Sequence, residues 1–147
     1  MPVEISVSGL DELRAVLLGA IGKAEELTRV ATVTGISLVE RAAKNQLRTT
    51  SHTKKTPTPS SPGQPPSLIS GELMRSVTVR GPTGGAGIWS GSVGPTSIYG
   101  RIQELGGVTG RHHATTLPAR PYMEPALNES KEEIHGLFLG AWSQIFT

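Results

Sequence analysis

Leu10, Leu13, Leu17, Ala20, Ala24, Leu27, Ala31, Leu38 and Ala42 recur at steps of three, four or seven residues. That period places them on one side of a helix and predicts a helical segment over about 10–47. Val16, Ile21, Val30 and Val39 widen its apolar surface beyond a narrow seam, so the helix is expected to cover a sheet on one side and a neighbour on another. Asp11 and Glu12 stand in the first turn, where the helix dipole favours negative charge. Gly19, Gly22 and Gly35 interrupt the pattern. Each costs on the order of 1 kcal/mol relative to alanine, which a close helix contact or a kink would offset and which a long helix can also tolerate.

Before this helix, Val3, Ile5 and Val7 alternate with Glu4 and Ser6, the period of a short strand. Residues 48–67 then carry no apolar side chain except proline and no periodicity, so they cannot build a core. Prolines keep such a stretch extended, at about 3.1 Å per residue, and a candidate arm across some tens of ångströms results. The other reading is a free loop. Ser70 is placed to cap a short helical turn over 71–75. Val77 and Val79 alternate with polar neighbours, Gly81–Gly85 predicts a turn, and Ile88, Trp89 and Val93 predict the return strand of a β-hairpin. Tyr99–Leu105 predicts a short helix ended by Gly106-Gly107, and 108–117 a polar loop or second hairpin. From Pro121 onward, Met123, Leu127, Ile134, Leu137, Phe138, Ala141, Trp142 and Ile145 keep helical spacing. The expected fold is therefore α+β: a long N-terminal helix and a C-terminal helix on a small, mainly antiparallel sheet, as one domain over 1–147 with the arm at 48–67.

Composition sharpens this picture in one respect. Apolar residues make up 36% of the 147 residues, with two Trp, two Tyr and two Phe against 18 Gly and 11 Pro. So lean a core predicts that contacts between subunits supply burial that one chain lacks. The absence of cysteine excludes disulfides, thiolate metal sites and a cysteine nucleophile. No run reaches the length of a membrane span and the N-terminus lacks a leader pattern, so a protein made in the cytoplasm is expected.

The net charge of +2 is small, but residues 40–80 hold seven basic side chains against Glu40 and Glu72, leaving −3 for the remainder. The basic zone reads either as a solvated loop or as a surface facing phosphate or an acidic neighbour. Base stacking is not expected, since Trp89 and Tyr99 lie beyond it. His112-His113 lacks nearby ligands, and His135 does not reproduce a zinc helix. Glu25-Glu26 and Glu132-Glu133 are helix neighbours pointing about 100° apart, which is no acid–base couple. Ser70 and Ser90 have no evident base, and Gly81–Gly94 lacks the lysine end of a phosphate loop. No catalytic residue, metal or cofactor is expected.

Three stretches occur in a telling order: Ser67-Leu68-Ile69-Ser70-Gly71-Glu72-Leu73-Met74-Arg75-Ser76, then Ile98-Tyr99-Gly100-Arg101-Ile102-Gln103-Glu104-Leu105-Gly106-Gly107, then Leu117-Pro118-Ala119-Arg120-Pro121-Tyr122-Met123-Glu124-Pro125-Ala126-Leu127. Over roughly 67–135 the chain resembles the small morphogenesis proteins of long-tailed bacteriophages that complete the tail and join it to the head. The resemblance implies a virion protein of the neck, forming a cyclic homo-oligomer, a hexamer by analogy, between head-closure and tail-terminator or tail-tube proteins. A tail terminator or head-closure ring is the neighbouring role, and a sequence-independent nucleic-acid-binding module the reading from another class. The interface or DNA-lumen candidates are Arg48, Lys54, Lys55, Arg75, Trp89, Tyr99, Arg101, Glu104 and Arg120. Within that set, Arg120 between two prolines is expected to anchor the last helix through a carboxylate.

Overall fold

Apolar spacing that persists for ten turns gives one unbroken helix, α1 (Leu10–Gln46), in the computed structural model, which describes residues 8–51 and 58–145. The expected strand around Val3–Val7 lies outside the described residues. Short elements follow: α2 (Glu72–Ser76), β1 (Val77–Gly85), β2 (Ile88–Pro95), α3 (Gly100–Leu105), β3 (Gly107–Thr109), a 3₁₀ turn (Arg111–His113) and β4 (Thr115–Leu117). The chain then enters α4 (Met123–Ser143). The α+β expectation holds, with the strands divided into two separate antiparallel ribbons, β1–β2 and β3–β4.

The hairpin differs in detail from its sequence reading. The expected turn at Gly81–Gly85 lies inside β1, where the register shifts between Arg80 and Thr83 as an irregularity rather than a reversal. The chain reverses instead at Ala86 and Gly87, with φ of 53° and 81°. Two successive positive φ values are what a two-residue hairpin loop with the right strand twist requires. Ser70 likewise does not occupy the N-cap of α2. Gly71 does, at φ 73°, while the Ser70 hydroxyl accepts the Glu72 N–H at 3.3 Å.

α4 runs antiparallel to α1. Gln46 donates to Glu129 at 3.2 Å near one end, and Trp142 Nε1 donates to Thr28 Oγ1 at 3.3 Å near the other. Gly35 is buried and receives Ile134 at ordinary van der Waals distance, so this glycine serves a helix contact. The β1–β2 hairpin packs along a neighbouring side of α1, and Gly91 admits Ile36 where a Cβ would collide. A small core sits where the ends of these elements meet, from Ala43, Leu47, Val77, Tyr122 and Ala126, with Leu73, Met74, Val93 and Met123 packed against it.

α1 is longer than its support. Among the described residues its contacts to the rest of the fold begin near Glu25, which accepts the Gly87 N–H of the hairpin tip at 2.6 Å. Residues 10–19 are exposed without exception. The segment before Glu25 spans about 22 Å at 1.5 Å per residue.

Candidate assembly surfaces

The three stretches singled out in the sequence converge on one corner of the fold. α3 sits at its centre. Gln103 O accepts the Arg120 N–H at 2.7 Å, Thr96 N–H bonds to Ser76 O at 2.9 Å, and Ser67–Met74 lines a hollow of about 230 Å³ together with Tyr99 and Gln103.

Glu104 has a role that the sequence concealed. Its Oε2 accepts the backbone N–H groups of Tyr122 at 2.7 Å and Met123 at 3.0 Å, and its Oε1 accepts that of Glu124 at 3.0 Å. These are the N-cap and the first two residues of α4, and the next position is Pro125, which has no N–H. One carboxylate thus satisfies every free donor that opens the helix and places negative charge at the positive end of its dipole. Beside it, Tyr122 is fully buried. Burial, reinforced by the Glu104 charge, pushes its phenol well above the ordinary value of 10.0, so it stays protonated.

Arg120 does anchor the approach to α4, but its partner is different from the carboxylate expected. The side chain is 8% exposed, and Nε donates to the backbone carbonyl of Ser60 at 2.9 Å. Gly63 N–H bonds to Ala119 O at 2.9 Å alongside it. The Pro-Ala-Arg-Pro strap therefore holds the C-terminal root of the expected arm. The N-terminal root is held too, by Leu68 N–H to Thr50 O at 2.8 Å and a bridge between Ser51 and Leu68. The arm expected over all of 48–67 is thus docked on the body at 48–51 and 58–67, because its carbonyls meet donors from the strap and the Leu68 turn. Lys54 and Lys55 lie outside the described residues.

The remaining candidates do not form one site. Arg48 Nε contacts Met74 Sδ at 3.3 Å, and Arg75 folds over Gly71 with a bond to Ser70 O at 3.0 Å. Tyr99, at the N-cap of α3, and Arg101, in its first turn, are exposed. Trp89 is on another face, half-buried in a groove with its Nε1 buried and unpaired. Among the described residues no group of three or more His, Asp or Glu could hold a metal ion, and His112 and His113 are exposed on the β3–β4 loop. No helix among them is long and apolar enough to cross a membrane.

Two apolar features were only half-visible in the sequence. The first is the unsupported part of α1, with Leu10 61% and Ile21 65% exposed and Leu13, Val16, Leu17 and Leu18 also in water. The second is an open groove of about 650 Å³ whose floor is α1 at Thr32–Val39 and whose walls are β2 and α4. Neither a family model, a curated protein nor a solved structure matches the chain.

Proposed function

We propose that this chain is an assembly subunit whose fold is completed by other subunits. The observation that carries the reading is the balance of apolar burial. Among the described residues seventeen large hydrophobic side chains are exposed, whereas eight hydrophobic residues are buried and three of those are alanines. A free monomer with so small a buried core rarely leaves this much apolar surface in water, whereas a subunit of an obligate oligomer does so wherever a partner will sit.

The particular assembly follows from the order of the three stretches that resemble phage neck proteins. The chain is a structural component of the neck of a long-tailed phage, forming a closed ring that completes the tail and joins it to the head. Closure of such a ring by rotation requires two different surfaces on each subunit, one for each neighbour. The test is electron microscopy of particles made in the absence of this protein. Filled heads separated from tails are the expected outcome. Intact, infectious particles would overturn the proposal.

A further inference from the structure

We infer that the projecting half of α1 is the element that joins subunits, by lying in the α1–β2–α4 groove of a second copy of this chain. The inference rests on the ring reading and assigns its two unlike surfaces. On a helix that turns about 100° per residue, Leu10, Leu13, Leu17 and Ile21 fall within one stripe, with Val16 and Leu18 on its shoulders. An amphipathic helix seats in an apolar groove through anchors at this spacing. The stripe lies on the same side of α1 as Thr32, Gly35 and Val39, which form the floor of the groove further along.

The helix cannot reach its own groove. α1 is unbroken from Leu10 to Gln46, and the floor of the groove is part of that same rod, about 22 Å downstream of Leu17. A projecting ridge and a matching hollow held apart on one rigid chain can be joined only between copies. From the exposures of the six apolar side chains, the surface left in water is on the order of 600 Å². That is most of the ~800 Å² that each partner contributes to a stable interface. Charge agrees with the pairing: Arg14 flanks the stripe, and Glu124 is the charged residue lining the groove. Ridge and groove are unlike surfaces, so the contact repeats around a ring when each subunit gives its ridge to one neighbour and its groove to the other.

Leu13 and Leu17 are exposed among the described residues, so Leu13→Glu with Leu17→Glu leaves the subunit folded. Circular dichroism checks this, and sedimentation velocity over a wide concentration range is expected to show an oligomer for the unaltered chain and a monomer for the double variant. The chain has no cysteine, so Leu17→Cys mixed with Leu127→Cys is expected to give a disulfide-linked pair under mild oxidation, with little linkage of Leu17→Cys to itself. Oligomers that survive the double substitution, or linkage of Leu17→Cys chiefly to itself, would overturn the docking mode and leave the ring in place. An unaltered chain that stays monomeric would overturn both. Binding of that monomer to anionic phospholipid vesicles through the same leucines would overturn the inference in favour of a lipid surface.

Discussion

Glu104→Ala removes three hydrogen bonds at once from the start of α4, at 2.7, 3.0 and 3.0 Å. Losing an ordinary N-cap costs about 0.5–2 kcal/mol. The carboxylate here does more, because bonds to a charged acceptor are each worth about 1.5–3 kcal/mol and a charge at a partly buried helix terminus adds up to ~2 kcal/mol. Water can reach part of the site once the side chain is cut back, since Glu104 and Met123 are only half-buried, so the full sum is not lost. The expected destabilisation is about 2–4 kcal/mol, which for a chain of this size shifts the thermal midpoint by roughly 5–15 °C. Glu104→Gln separates geometry from charge. Its carbonyl oxygen can keep the two donors that now share Oε2, but its amide nitrogen confronts the Glu124 N–H donor to donor, so about half of the loss is expected. The assay is urea unfolding followed by circular dichroism, at one fixed protein concentration because self-association would shift apparent stability. A Glu104→Ala chain within about 0.5 kcal/mol of the parent would refute the assignment of Glu104 as the cap of α4.

Three of the other predictions concern the same corner, and one the open face of α4. Tyr122 carries a raised folded-state pKa, so its contribution to stability is complete below its ordinary value of 10.0 and is lost as pH rises from there toward the folded value. Each pH unit in that window should cost up to about 1.4 kcal/mol, and Tyr122→Phe should remove this part of the alkaline unfolding curve. Gly100 is buried, and a Cβ there would overlap the Pro95 ring; Gly100→Ala should therefore destabilise by about 1–3 kcal/mol in urea unfolding. Gly136→Ala on the open face of α4, where a Cβ meets nothing, should instead stabilise by about 0.5–1 kcal/mol. Arg120→Ala should release the 58–63 segment, seen as faster amide exchange at Gly63 N–H with α1 exchange unchanged; unaltered protection there would show that the Ser60 bond holds nothing.

The long helices were legible because their signal is local: α1 and α4 repeat apolar residues at a period that only a helix satisfies. The end of α3 at Gly106 was legible through the same kind of local chemistry, whereas the sequence left 108–117 open between a loop and the hairpin it forms. What escaped the sequence were pairings set by the third dimension. Glu104 lies eighteen residues before the first donor it caps, and Arg120 sixty residues after its acceptor, so no spacing rule connects them. The hairpin turn was misplaced for a different reason. Gly81-Pro82 carries a strong turn signal, yet the structure spends it on an irregularity within β1, because the two positive-φ residues at 86 and 87 match the strand twist better.

The stripe on α1 shows most clearly where sequence and single-chain structure diverge. Its period runs through Leu10, Leu13, Leu17, Ala24, Ala31 and Leu38 with no change of character, although among the described residues the body of the same chain supports it only from about Glu25. Before that point Leu10, Leu13 and Leu17 stand in water; beyond it Ala31 and Leu38 are buried. A helix end with no partner in the assembled state has no need of an apolar face, and polar residues there would favour solubility at no cost to packing. In the proposed assembly, the persistence of one pattern across both halves marks two burials, one made within the chain and the other between copies of it. On that proposal the apolar period before Glu25 calls for the second burial, and the α1–β2–α4 groove is the surface offered for it.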